Sequence, residues 1–131
     1  MPFIKIWIHL LFSTKNRETI ITKELKPVLY KHILTNAREK GIYIDFINGS
    51  NDHVHILLSL APEQTIAKVT QLIKGESSYW VNKNKISKLK FEWQDEYIAF
   101  SVSDSIVEKV RNYIKNQEIH HQKKNFSGRI Q

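Results

Sequence analysis

The stretch Asn51-Asp52-His53-Val54-His55-Ile56-Leu57-Leu58-Ser59-Leu60 decides how this chain is read. It reads as a strand entered from a turn cluster, Asn48-Gly49-Ser50-Asn51-Asp52, and ended by Pro62. Side chains alternate between the two faces of a strand. Val54, Ile56, Leu58 and Leu60 therefore form one unbroken apolar face, which predicts a core. His53, His55, Leu57 and Ser59 share the other face. Two imidazoles side by side on a rigid strand are a bidentate start for a metal site. The same pair also suits the half-exposed face of a sheet that binds nothing.

Working outward, periodicity predicts strand, helix, strand, strand, helix, strand, helix. Residues 4–13 read as the first strand. Residues 22–40 read as a helix with Leu25, Val28, Leu29, Ile33 and Ala37 inward, closed by Gly41 at the C′ position. Residues 42–47 form the second strand, which enters the His53 strand through a hairpin. A second helix spans 64–82 with Ile66, Val69, Leu72 and Ile73 inward. A basic loop follows to residue 89, then a long strand over 91–102. The last helix runs from 104 to about 121. Ser105 and Glu108 suit a capping box, and Ile106, Val107, Val110 and Ile114 an apolar stripe. Helices alternating with a largely antiparallel sheet predict an α+β, ferredoxin-like sandwich of one domain, residues 1–131. The polar tail after about residue 121 is expected to be loosely ordered.

Composition narrows the class. Hydrophobic residues make up 41% and charged residues 25%, the balance of a soluble globular chain. There is no cysteine, hence no disulfide and no thiolate site, which fits a reducing cytoplasm. The apolar run 3–12 is far shorter than the roughly 20 residues a bilayer requires, so a membrane is not expected as a partner. Net charge is +7. The basic excess gathers in 74–90, with Lys74, Lys83, Lys85, Lys88 and Lys90 against Glu76 alone, and in 115–131, with Lys115, Lys123, Lys124 and Arg129 against Glu118. Such patches favour salt-sensitive binding to nucleic acid, and they equally serve as solvated surface. Trp80, Phe91, Trp93 and Tyr97 interleave with the first patch and could stack on unpaired bases. Trp93 and Tyr97 suit the core of the following strand better.

Tyr113 and Gln117 lie four apart on the last helix, on one face. Alone they read as a core-edge phenol and a solvated amide. With the His53 strand they resemble a known family, the single-tyrosine HUH transposases of the insertion-sequence-200-like kind, including relatives that act on repetitive extragenic palindromes. Further stretches match in order: His9-Leu10-Leu11-Phe12-Ser13-Thr14-Lys15-Asn16-Arg17, Leu72-Ile73-Lys74-Gly75-Glu76-Ser77-Ser78, Trp93 through Ser103, and Tyr113 through Phe126. Glu96 stands before Tyr97 where the family usually has Gly.

The resemblance implies a metal-assisted transesterification on single-stranded DNA near hairpins. Tyr113 would be the nucleophile and form a 5′-phosphotyrosine link. His53, His55 and Gln117 would hold Mg²⁺ or Mn²⁺. A homodimer is implied, with Tyr113 serving either its own chain or its partner. Lys74, Lys83, Lys85, Lys88, Lys90, Lys123 and Lys124 are the candidate DNA contacts. Three rivals differ in kind. A histidine-triad hydrolase needs a third histidine at position 57, which is Leu. A zinc hydrolase needs more ligands close by. A non-catalytic, domesticated nucleic-acid-binding relative would not require His53, His55, Tyr113 and Gln117 to be present together.

Overall fold

The computed structural model describes residues 5–116. Gln117, Lys123, Lys124 and the tail lie outside the described residues. In order, the elements are β1 (Ile6–Ser13), α1 (Leu25–Glu39), β2 (Tyr43–Gly49), β3 (His53–Leu60), α2 (Ile66–Lys83), β4 (Ile98–Val102) and α3 (Val107–Lys115). Short 3₁₀ turns at Lys15–Arg17 and Asp104–Ile106 join β1 to the next segment and β4 to α3. The four strands make one antiparallel sheet in the order β2-β3-β1-β4, the expected ferredoxin-like arrangement. Among the described residues no helix is long and apolar enough to cross a membrane.

Alternation along β3 splits the interior into two cores. Val54, Ile56, Leu58 and Leu60 join Ile8, Leu10 and Phe12 of β1 beneath α1 and α2. Those helices contribute Leu25, Leu29, Ile33 and Ala37, spaced by four, and Val69, Ile73 and Val81. Val28 falls off the α1 stripe and is exposed, contrary to the sequence reading. On the opposite face, Trp7 and Leu57 pack with Val107 and Ile114 of α3. With both faces covered, the central strands read as nearly continuous apolar runs.

Both helix ends on the first core use the same device. Gly41 has φ +74°, and the N–H groups of Gly41 and Ile42 reach the carbonyls of Arg38 and Ala37, a Schellman closure. After α2, Lys85 takes that left-handed position at φ 51°, with Ile86 N–H donating to the Val81 carbonyl. Gly49 has a different role. A Cβ there would stand 2.1 Å from the His53 carbonyl oxygen, so the hairpin into β3 closes only on glycine.

Three further sequence expectations are corrected. The strand expected over 91–102 is paired only from Ile98; before it, a single bridge joins Trp93 to Thr14. Phe91 and Trp93 must reach the helix-side core, which draws the chain off the sheet plane. The Asn82 amide brackets Phe91, and the Trp93 indole N–H donates to Ser77 Oγ at 2.9 Å. The capping box at Ser105 and Glu108 is not formed. Ser105 Oγ instead meets Ser103 Oγ, and Asp104 accepts the Trp7 indole N–H at 2.9 Å. Ile106, expected in the apolar stripe, is exposed.

Candidate functional site

His53 and His55 project from β3 on one face, as the alternation requires. They do not lie on a half-exposed surface: their exposures are 2% and 0%, because α3 covers that face. The two ring centroids are 5.2 Å apart. Each imidazole turns its Nδ1 toward a protein partner. His53 Nδ1 is 2.8 Å from Asp52 Oδ1 and 3.0 Å from Ser50 Oγ. His55 Nδ1 is 2.8 Å from His9 Nε2.

These partners bear on the tautomers. Burial pushes the Asp52 carboxyl up, but the hydrogen bond and charge of His53 and the Arg17 guanidinium outweigh it and hold it at about 2. An ionised Asp52 accepts from His53 Nδ1–H, which leaves the lone pair of a neutral ring on Nε2. Burial pushes His9 below the ordinary imidazole value. A neutral His9 shares one proton with His55 across this contact, and where His55 Nδ1–H donates to His9 Nε2 the lone pair of His55 likewise lies on Nε2. Metal-binding histidines are commonly held this way, with the second nitrogen tied to a carboxylate or another acceptor. The pair therefore fits a divalent ion through two Nε2 atoms. Among the described residues, no group of three or more His, Cys, Asp or Glu side chains could hold a metal ion. The proposed third ligand, Gln117, lies outside the described residues.

Tyr113 is half-buried on α3 and stands edge-on to the His55 and His9 rings. Its ring centroid is 5.9 Å from that of His55 and 6.3 Å from that of His9. Asp45 and Asn48 of β2 hold the helix in that place. Asp45 takes the Arg111 guanidinium through two contacts, 2.6 and 3.2 Å. The Asn48 amide donates to the carbonyls of Ile114 and Lys115 at 3.0 and 3.1 Å, satisfying acceptors that a helix end leaves open. The Tyr113 ring thus lies beside His55 and His9.

His9, Asp45 and Asn48 are site residues that sequence reasoning did not single out. Pairing by register, with His9 opposite Leu57 and Leu11 opposite His55, brings His9 beside His55. A one-dimensional pattern shows that β1 is a strand but not which strand it adjoins.

The basic candidates separate. Lys74 is tied down: its ammonium donates to the carbonyls of Gln94 and Asp95 at 2.5 and 2.8 Å and lies over the rings of Phe12 and Tyr97. Burial lowers its pKa, against the pull of Asp95. Lys83 extends over the Tyr79 ring, and Lys90 pairs with Glu92 at 3.6 Å. Lys83, Lys85, Lys88 and Lys90 are exposed. Of the interleaved aromatics, Phe91 and Trp93 are core, and Trp80 stacks on His32 at 3.8 Å. Tyr97, expected in the core, is 37% exposed. Glu96 is not among the residues with positive φ, so a non-glycine residue stands there without left-handed strain.

Comparison with known proteins places these features in context. Residues 3–117 match the model of a family described as IS200-like transposases. Among curated proteins, the chain is 27% identical over 115 residues to the ISDra2 transposase TnpA of Deinococcus radiodurans, spanning 83% of this chain and 81% of that protein. A crystal structure from Deinococcus radiodurans, described as that of a transposase, superposes with a TM-score of 0.71 at 24% identity, covering 88% of this chain and 93% of the other. A REP-associated tyrosine transposase bound to a REP hairpin superposes with a TM-score of 0.70 at 16% identity, covering 92% and 72%.

Proposed function

The chain belongs to the family of IS200-like transposases, and from that premise we propose that it cleaves and rejoins single-stranded DNA beside a hairpin through a tyrosine–DNA intermediate. The observation that carries the reading is the edge-on approach of Tyr113 to His55 and His9 beneath a helix anchored to the same sheet. In this reading Tyr113 Oη attacks the scissile phosphorus. The bond from phosphorus to the 3′ oxygen breaks, and the phenolic proton passes in net terms to the departing 3′ oxygen. The DNA remains joined through its 5′ phosphate to the tyrosine. Attack by a 3′ hydroxyl reverses the step, so the bond energy is kept and no nucleotide cofactor is consumed.

His53 and His55, with Gln117, would hold a divalent ion, Mg²⁺ or Mn²⁺; when bound it supplies charge to offset that developing on the phosphate. Asp52 and His9 hold the two imidazoles in the tautomer that presents Nε2. Buried Leu57 and Ile114 keep water from the inner side of the site. Tyr113 serves the histidines of its own chain. A homodimer remains part of the reading through β4, which ends the sheet and exposes Ile98 and Phe100; sedimentation at micromolar concentration tests it. The REP hairpin on the structural neighbour supports a hairpin as the substrate.

The test is an SDS-stable adduct between the protein and a labelled single-stranded hairpin in Mn²⁺. Tyr113→Phe should keep the fold and lose the adduct, and EDTA should abolish it in the unsubstituted protein. An undiminished adduct in Tyr113→Phe would sink the nucleophile assignment, and one formed equally in EDTA would sink the metal.

A further inference from the structure

The turn that leaves β1 is strained. Asn16 and Arg17 follow one another in the left-handed region, at φ 58° and 57°. Residues carrying a Cβ rarely adopt it, and successive ones persist only where the surroundings hold them. Here Thr14 Oγ1 donates to the Glu18 carbonyl at 2.6 Å, and Lys15 N–H donates to that of Glu92 at 3.0 Å. The turn delivers Arg17 to Asp52, with Nε to Oδ2 at 3.1 Å. Asp52 in turn engages His53. A guanidinium carries five donors, and the Asp52 contact uses Nε, so others remain for a second anion.

Facing Arg17 is the segment held off the sheet by Lys74. Between them lies a cleft of about 440 Å³, with Leu11, Phe12 and Ile98 in its lining and Arg17, His53, Gln94, Glu96 and Tyr97 around it. Its size is within the range of small-ligand sites, roughly 300–1,000 Å³. Its wall brings together a cation, an open aromatic ring, a carboxylate and one of the paired histidines. Tyr97 is steadied by the Lys74 ammonium, 6.0 Å from its ring centre.

We propose that this cleft is a nucleotide subsite. The nucleotide adjoining the cleaved bond sets a phosphate against Arg17, its base against the Tyr97 ring and its Watson–Crick edge toward Glu96, with guanine the preferred base. The inference rests on the function proposed above, which places the scissile phosphate at the His53 pair. An unpaired base stacks on an aromatic ring whatever its identity. A carboxylate only accepts hydrogen bonds. Guanine offers it two adjacent donors, N1–H and the N2 amino group. Adenine and cytosine offer one amino group, and thymine a single N–H flanked by two carbonyls. Glu96 stands where the resembling family usually has Gly, so this readout would belong to the chain's own sequence.

A hairpin with a single-stranded thymine flank, into which one guanine is walked position by position, tests the proposal through fluorescence anisotropy and adduct yield. Guanine at one position beside the cleavage point should tighten binding at least roughly fivefold. Glu96→Gln should erase that preference, so that guanine-containing and all-thymine flanks bind the variant alike. Tyr97→Ala should weaken binding of flanked hairpins by roughly five- to hundredfold, and Tyr97→Phe should restore it. A normal adduct with no guanine preference, or with a preference indifferent to Glu96→Gln, overturns the subsite and leaves the proposed function standing. A wild-type protein that neither binds the hairpin nor forms the adduct overturns both.

Discussion

Ile114→Ala should release the helix that carries Tyr113 while leaving the rest of the fold in place. Ile114 is fully buried, and with Val107 it supplies the buried apolar surface of α3. Full burial of such side chains contributes about 1.5–3 kcal/mol each. The two Asn48 hydrogen bonds add about 0.5–1.5 kcal/mol apiece. Removing a buried isoleucine side chain down to Ala costs about 2–5 kcal/mol, about half of what these side chains and hydrogen bonds contribute, with the Asp45–Arg111 pair as a further anchor. At nine residues, α3 is also shorter than the ~12–15 at which an isolated helix becomes marginal in water. Once undocked it should therefore fray. The core between sheet, α1 and α2 contains no α3 residue, so it should hold. The assay is hydrogen exchange by mass spectrometry on peptides covering 107–116 against those covering β1 and β3, together with adduct yield. Exchange should rise in the first set alone, and the adduct should fall at least tenfold with hairpin affinity retained. Wild-type protection over 107–116 in the variant, or exchange raised equally everywhere, would refute the picture of a separately anchored helix.

Other expectations follow from single contacts. Gly49→Ala should cost about 1–3 kcal/mol, since its Cβ would collide with the backbone of His53 and Val54, and a urea melt with an unchanged midpoint would contradict the close approach. Lys85→Gly should stabilise the chain by about 0.5–1 kcal/mol, because the left-handed cap of α2 then carries no Cβ. The same change should weaken hairpin binding and shallow its salt dependence by roughly 0.7–0.9 in log–log slope, measured by titration with NaCl, if Lys85 meets a phosphate. His9→Ala should weaken Mn²⁺ binding measured by calorimetry, whereas His9→Gln, whose amide can reach the place of Nε2, should restore most of it; equal affinity in both variants would remove His9 from the positioning of His55.

What was legible in the sequence follows from local periodicity. Alternation along 53–60 separated Val54, Ile56, Leu58 and Leu60 from His53 and His55, and the sheet uses both faces as that pattern requires. Spacing by four identified Leu25, Leu29, Ile33 and Ala37, and Gly41 marked the helix end because only local backbone geometry is at stake there. His53 with His55 also lay in a short motif set by one strand's repeat, and Tyr113 fell on the face of α3 that packs on the sheet. The tertiary structure decided how those elements meet. No repeat along the chain indicates that β1 lies beside β3 and brings His9 to His55, or that Asp45 and Asn48 of β2 clasp α3 over its own sheet. The same holds where 91–97 leaves the sheet: its alternation looked strand-like, but Ser77, Asn82 and Lys74 on the preceding helix offered Trp93, Phe91 and two carbonyls better partners than another strand. Hydrogen-bond satisfaction and burial are settled between segments far apart in sequence, and a local pattern cannot encode which distant partner wins.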